Sequence, residues 1–268
     1  MILNYGENIR NFFGNKIWID KIVSRLEKKQ FDKITRKKKK QFISDKEFTS
    51  TNAHHINTLK NDGVLYLPKY FSFEDFEIET LKLQLKKNAK ESDSVQTFYP
   101  DPIPESLLKL YNDNFIEQII DHSRAYCSPK KLLRLYHSTS LAEETGSFLW
   151  HHDGLFNYFK VLVYLSEVKD ENGPLAYCLG SNKNNWDFYS YERSRFREED
   201  LKNYEKKYFN GNIGDVIILD ANGIHKATNP NPGCERIVAS LAFIDFDSNQ
   251  STDHIYATES KLSYLKNH

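Results

Sequence analysis

The 268-residue chain is predicted to fold as a mainly β domain, a sandwich or barrel with flanking helices, on three observations. Short apolar runs recur along it, closed by turn signals such as Asn61-Asp62-Gly63, Asn172-Gly173-Pro174 and Asn229-Pro230-Asn231-Pro232-Gly233. A hydrophobic fraction of 39%, with 14% aromatics, fills a core at this length, where folding buries roughly 70% of the unfolded chain's surface. β-Barrel enzymes use this length as one domain, and no repeat, glycine-rich phosphate loop or Gly-x-Ser-x-Gly elbow points elsewhere.

The elements follow in order. Ile19, Ile22, Val23 and Leu26 recur at helical spacing, which predicts an amphipathic helix starting near Lys16. Residues 10 to 46 hold 13 Lys or Arg against 4 Asp or Glu, including the run Arg36-Lys37-Lys38-Lys39-Lys40. Such a run can bind phosphates, but it lacks the interleaved aromatics of a stacking platform, and solvated surface or linker is the favoured reading. Residues 52 to 60 read as a helix that breaks at Asn61-Asp62-Gly63, before a strand from Val64 to Leu67 stopped by Pro68. Ser72, with Asp75 three residues on, reads as the N-cap of a helix running towards Lys90. A loop rich in Ser, Asp and Pro covers about 91 to 104, and short helices span 104 to 112 and 114 to 126.

Beyond Pro129, the strand Leu132 to His137 places Arg134 and Tyr136 on one face and Leu133, Leu135 and His137 on the other. If Arg134 and Tyr136 face the interior they can hold an acidic ligand; otherwise Arg134 is a surface residue and His137 a core one. A polar loop over 139 to 147 leads on, and later Lys160 to Val168 reads as a strand, with a turn at Asp170 to Gly173 before a strand from Leu175. Residues 184 to 208 are aromatic and charged, with a helix near 197 to 208; Trp186, Phe188, Tyr189 and Tyr191 there suit packing outside the barrel. Residues 247 to 268 are polar and peripheral.

The 37 basic and 37 acidic residues cancel, so nothing global argues for nucleic acid or an acidic membrane. Cys127, Cys178 and Cys234 form no Cys-x-x-Cys pair or zinc spacing, and an odd number suits no complete disulfide framework. The N-terminus shows no secretory pattern, and no run approaches the ~20 apolar residues of a membrane helix, so a cytoplasmic location is expected.

The chemistry gathers at Phe148-Leu149-Trp150-His151-His152-Asp153-Gly154. On an extended backbone His151 and Asp153 share a face and His152 points to the other. An imidazole and a carboxylate need one further imidazole to make the facial triad that suits non-haem iron(II) and leaves coordination positions open. His225 is the candidate. It follows Gly214 to Asp220, which reads as a tight turn feeding a buried strand, and precedes a turn-rich segment. The plainer alternative is a hydrogen-bonded His–Asp pair. Arg236, eleven residues beyond His225, heads the apolar run Ile237 to Ile244. Arginine is costly to bury without an anionic partner, so its place implies a carboxylate or phosphate.

Trp150 to Gly154, Asn172-Gly173-Pro174-Leu175 with Gly180-Ser181, Gly214-Asp215, His225 and Arg236 together resemble the iron(II)- and 2-oxoglutarate-dependent oxygenases related to phytanoyl-CoA hydroxylase. The resemblance runs from about Asn52 to Phe246, and Leu59 to Pro68 is similar to the start of that family's domain. It narrows the fold to a double-stranded β-helix, the jelly-roll or cupin-like barrel, over 52–246, with a helical, basic N-terminal extension over 1–51 and a C-terminal tail over 247–268. The family often has Gly-Ser-His where this chain has Gly180-Ser181-Asn182, a departure away from the metal ligands.

The resemblance implies iron(II) held by His151, Asp153 and His225, with 2-oxoglutarate and O2 as cosubstrates and Arg236 on the far carboxylate. Arg134 and Tyr136 are further cofactor-binding candidates. Phe98 and Tyr99 lie where the family often covers the site mouth, so they are lid and substrate-binding candidates, with an ordinary surface loop as the alternative. Trp150 is a third substrate-binding candidate. The activity implied is oxidation of a small molecule by hydroxylation, desaturation or cyclisation, with release of succinate and CO2. Related enzymes that halogenate carry a small residue at the aspartate position, whereas Asp153 keeps its carboxylate. A nucleic-acid demethylase using the basic N-terminal run and a non-catalytic cupin-like metal sensor are the rival readings; a salt-dependent nucleic-acid shift and succinate release discriminate them.

Overall fold

Apolar residues on one stripe of each helix, and on one or both faces of each strand, sort the chain into layers. The computed structural model describes residues 50–88, 90–92, 95–123, 130–153, 158–183 and 195–244, together with Ile22, Arg25 and Leu26. In order these form α1 (Ser50–Asp62), β1 (Val64–Leu67), α2 (Asp75–Asn88), β2 (Lys90–Ser92), β3 (Val95–Phe98), α3 (Glu105–Tyr111), α4 (Asn114–Ser123), β4 (Lys130–Thr139), β5 (Tyr158–Tyr164), β6 (Leu175–Cys178), β7 (Lys206–Phe209), β8 (Val216–Asp220), β9 (His225–Ala227) and β10 (Glu235–Ile244).

The strands make two antiparallel sheets, a larger one in the order β1-β8-β5-β10-β4-β3-β2 and a smaller one in the order β7-β6-β9. A bridge from His151 to His225 adds the segment around His151 beside β9. From β4 onward the chain therefore supplies eight segments. The first, third, sixth and eighth pair in the larger sheet, and the second, fourth, fifth and seventh in the smaller. That is the double Greek key of a jelly roll, the double-stranded β-helix.

Two cores hold it together. On the outer face of the larger sheet Leu133, Leu135, Val161, Val163, Ala239 and Leu241 pack against Leu59, Leu81, Leu107, Ile116 and Ile120 of the helices. Between the sheets Leu162, Ile217, Leu219 and Val238 meet Leu175, Tyr177 and Phe209. Burying each such Leu or Ile contributes roughly 1.5 to 3 kcal/mol. β5 and β8 are covered on both sides, and β8 is buried at all five positions, so its sequence carries no polar alternation. Gly214 makes the turn into β8 with φ +86°, and a Cβ there would lie 1.8 Å from Phe71 O. Asp215 beside it accepts hydrogen bonds from Tyr66 Oη (2.5 Å), Asn212 N (2.7 Å) and Lys69 N (2.6 Å), tying β1 to this turn.

Several expectations need correction. The segment read as a loop over 91 to 104 contains the hairpin β2–β3, which adds to β4 with Thr97 opposite Tyr136. α2 begins at Asp75, and its start is capped by Glu77, whose carboxylate accepts the Glu74 N–H at 2.8 Å, rather than by Ser72. β5 stops at Tyr164; Val168 pairs separately with Gly211. The helix expected near 197 to 208 is a short 3-10 turn, Glu198–Leu201, followed by strand β7. His137 lies on the outer face of β4, its Nε2 2.8 Å from Glu235 Oε2.

Ile22 and Leu26 are helical, as expected, and about half exposed, at 50% and 53%. The rest of the N-terminal helix and basic run, Cys127, Gly154, the aromatics at Trp186, Phe188, Tyr189 and Tyr191, and residues 247–268 lie outside the described residues. Among the described residues no helix is long and apolar enough to cross a membrane.

Candidate metal centre

His151 and His225 are brought together by the backbone. The N–H of His151 donates to the carbonyl of His225 at 2.9 Å and the N–H of His225 donates back at 2.8 Å, a mutual pair that sets the two imidazoles side by side with centroids 4.5 Å apart. Asp153, two residues on, is anchored by its N–H to Ala221 O at 2.8 Å. Its Oδ1 lies 3.5 Å from His151 Nε2 and its Oδ2 lies 3.4 Å from His225 Nε2. One donor atom from each of the three lies within 4.8 Å of the others.

The orientation of both rings is fixed from behind. His151 Nδ1 lies 2.7 Å from Leu149 O, and His225 Nδ1 lies 2.9 Å from Gly223 O. A carbonyl can only accept, so each Nδ1 carries a proton and each Nε2 is the ring nitrogen turned to the site. Gly223 makes this approach feasible for His225, because a Cβ there would fall 1.8 Å from the hydroxyl of the fully buried Tyr177. Tyr177 donates to Asp220 O at 2.9 Å and stacks on His225 at 6.2 Å.

Alternation turns His152 to the opposite side. It is buried there at 1% exposure, with its ring 5.9 Å from that of Phe196. Trp150 shares that side, packing with Ala176, Cys178, Leu201 and Ile224 while its indole N–H donates to Glu198 Oε2 at 2.6 Å. As a substrate-binding candidate Trp150 is thus corrected to the outside of the smaller sheet.

A cavity of about 170 Å³ opens beside the triad. Arg134, Tyr136, His151, Lys160, His225 and Arg236 line it, against an apolar wall of Leu162, Leu175 and Leu219. Arg134 and Tyr136 therefore occupy the inner face of β4. Arg236 is 2% exposed, stands opposite Ser138 in the β4–β10 register, and donates from Nη2 to Ser138 Oγ at 3.3 Å and from Nη1 to Gly173 O. Of the hairpin, Val95 and Thr97 reach the cavity. Phe98, a lid candidate, instead packs on the helix-side core; Tyr99 packs there too, but its phenol stays within electrostatic reach of Arg134 in the cavity wall.

Sequence reasoning missed Lys160 and Ser138. Lys160 pairs with Asp153 Oδ2 and reaches the cavity from the inner face of β5. The signal was a lysine inside an otherwise apolar strand, the same signal that singled out Arg236.

Charge at the centre follows from these contacts. Burial alone would push the Asp153 carboxyl up, but the Lys160 ammonium, with the His225 and His151 imidazoles facing it, holds it well below the usual carboxylate range. Burial, followed by the neighbouring His225, lowers His151 to about 4 against partial opposition from Asp153. Near neutral pH the site therefore presents an ionised carboxylate and a neutral His151, the protonation states in which such groups can bind a metal ion.

No protein-family model matches the chain, and neither does any curated protein. Solved structures share its fold. The non-heme alpha ketoglutarate dependent epimerase SnoN from nogalamycin biosynthesis aligns with a TM-score of 0.55 at 13% identity over 73% of this chain and 84% of its own. HygX from Streptomyces hygroscopicus, solved with nickel, 2-oxoglutarate and hygromycin B bound, aligns at 0.51 and 18% identity over 77% and 94%. EctD from S. alaskensis, with 2-oxoglutarate and 5-hydroxyectoine, aligns at 0.56 and 18% identity over 75% and 79%.

Proposed function

We propose that this chain is an iron(II)- and 2-oxoglutarate-dependent oxygenase of the phytanoyl-CoA hydroxylase-like kind that oxidises a small molecule. The observation that carries the proposal is the convergence of His151, Asp153 and His225 on one point at the edge of a buried, cation-lined cavity. One donor atom from each residue lies within 4.8 Å of the others, near enough for all three to hold one ion. His225 Nε2 is buried with no hydrogen-bond partner, a cost that a bound cation removes. Two imidazoles and one carboxylate on a single side are the donor set of the facial triad for non-haem iron(II). The solved proteins of the same fold that bind metal and 2-oxoglutarate together support the same cofactor set, with iron in SnoN and nickel in HygX.

When bound, iron(II) with 2-oxoglutarate and O2 supplies the oxidising chemistry, and succinate and CO2 leave. The protein's own residues hold, orient and exclude. His151, Asp153 and His225 would hold the ion at the edge of the cavity. Arg236 is the residue for the far carboxylate of 2-oxoglutarate: its fork is fixed by Gly173 O and Ser138 Oγ, and its Nε is buried without a partner. Tyr136 stands on the same wall as a further cosubstrate contact, Arg134 beside it is placed to hold an acidic ligand, and Leu162, Leu175 and Leu219 keep bulk water from the open side. Asp153 occupies the place a halide would need, so the outcome is hydroxylation, desaturation or cyclisation.

The test is reconstitution without oxygen, followed by succinate measurement on admitting it. Succinate should form only with iron(II), O2 and 2-oxoglutarate together, rise with substrate, and vanish in His151→Ala. Metal binding without any succinate would leave a sensor in place of an enzyme.

A further inference from the structure

We infer that the substrate is itself an anion, a small molecule whose carboxylate or phosphate is taken between Arg134 and Lys160. This rests on the oxygenase reading and deepens it. Three described residues lining the cavity carry a fixed positive charge, Arg134, Lys160 and Arg236, and none of its described lining residues is acidic. Among the described residues the carboxylate at the site is Asp153, which touches its wall through His151, Lys160 and His225.

The charges then need partners. A divalent ion brings two positive charges and Arg236 a third, while Asp153 supplies one negative charge and 2-oxoglutarate two. That set is neutral. Arg134 and Lys160 are left over in a space where an uncompensated charge is costly. Arg134 Nε is buried without a hydrogen-bond partner, and the guanidinium's contact with Tyr136 is to the ring, 5.5 Å away. Among the described residues the ion-pair partner of Lys160 is the Asp153 oxygen it shares with the triad, and its ammonium lies 5.4 Å from the Tyr158 ring centroid.

The register leaves room for a ligand between the two cations. Arg134 and Lys160 stand on β4 and β5, the two strands that flank β10. The β10 residues paired with them are Ser240 and Ala242, both small, and Ser240 Oγ is buried and without a partner. A planar fork, an ammonium and a hydroxyl on one patch suit an oxyanion. Because Lys160 also touches Asp153, the anionic group binds beside the metal ligands.

The test uses the full chain loaded with Ni(II) and 2-oxoglutarate, which binds without turning over. A panel of small carboxylates and phosphate monoesters, each paired with its primary amide or parent alcohol, is screened by thermal shift and calorimetry. Stabilising compounds should come from the anionic half. For the best anion, Arg134→Gln and Lys160→Gln should each lower affinity roughly tenfold or more beyond any effect on 2-oxoglutarate, with Arg236→Gln showing the reverse preference. Arg134→Lys should restore part of the binding, and circular dichroism checks that each variant folds.

A panel in which no anion stabilises the protein overturns the inference, as do neutral counterparts that bind equally well. An Arg134→Gln variant that loses 2-oxoglutarate as much as the anion assigns this cation to the cosubstrate instead. Failure of the oxygenase reading shows separately, as absence of nickel-dependent 2-oxoglutarate binding by the unchanged protein, and removes the inference with it.

Discussion

His151 and His152 are adjacent, buried at 4% and 1% exposure, and chemically identical, so substituting each by Ala tests the proposal that one is a metal donor and the other a packed imidazole. His151→Ala takes away one of three donor atoms. Removing a group that merely hydrogen-bonds to a metal ligand costs 10–100-fold in affinity, so losing the ligand itself should cost more than about 100-fold, or roughly 2.7 kcal/mol and above. His152→Ala leaves all three donors and opens a void against Phe196. By analogy with other buried large-to-small changes it should cost about 2 to 4 kcal/mol of stability. Its metal Kd should stay within about threefold, or roughly 0.7 kcal/mol. Anaerobic titration with Co(II), followed by absorption and calorimetry, reads the affinity, and urea unfolding of the metal-free proteins reads the stability. Equal losses of affinity in the two variants, or undiminished binding in His151→Ala, would refute the assignment of faces.

Arg236→Lys keeps a charge and loses the planar fork, so the apparent affinity for 2-oxoglutarate should fall about tenfold or more with the circular dichroism unchanged; unaltered affinity in Arg236→Ala would reassign the cosubstrate anchor, with Arg134 next. Turnover should be indifferent to chloride and absent in Asp153→Ala, and a chlorinated product from the unmutated protein would contradict the role given to that carboxylate. His151 is lowered from 6.5 to about 4, so between those values the folded metal-free protein binds fewer protons than the unfolded chain. Its stability should therefore hold above pH 6.5 and decline, by on the order of 3 kcal/mol, as pH falls to about 4, measured as the urea midpoint. A midpoint that rises on acidification would count against this. Gly223→Ala places a methyl 1.8 Å from Tyr177 Oη, so it should cost about 1 to 3 kcal/mol and weaken metal binding by shifting the carbonyl behind His225, readable by thermal unfolding and Co(II) titration together.

What was legible in the sequence was whatever a local rule could decide. β8 and β10 carry long apolar runs because both their faces are covered, and the triad could be read because period-two alternation separates His151 and Asp153 from His152. Elements decided by distant partners were not legible. The hairpin β2–β3 is polar because it lies at the sheet edge, with Val95 and Thr97 facing a cavity, and β7 pairs on one side only, with β6, so neither carries a strand's apolar signature. Nearness in sequence also misled. Trp150 adjoins His151 but takes the face of His152, and Phe98 lies one residue from Thr97 but turns to the helices.

Alternation could sort β4 into two faces without saying which one lay inside, and the β4–β10 register answers that. It sets Arg236 opposite Ser138 and Arg134 opposite Ser240, so each guanidinium on the inner face lies across from a fully buried serine. A bulky residue at either serine position would fill the space its arginine needs. A serine inside the run Ile237-Val238-Ala239-Ser240-Leu241 is therefore a mark of a cavity rather than a flaw in a core strand. Together with Lys160 in the middle of β5, the two Arg–Ser pairs bring three cations to one side of a two-sheet core that is otherwise apolar. The cost of burying them is hard to explain for a purely structural interior, and it is the reason a metal, a dianionic cosubstrate and an anionic substrate form a consistent set for this cavity.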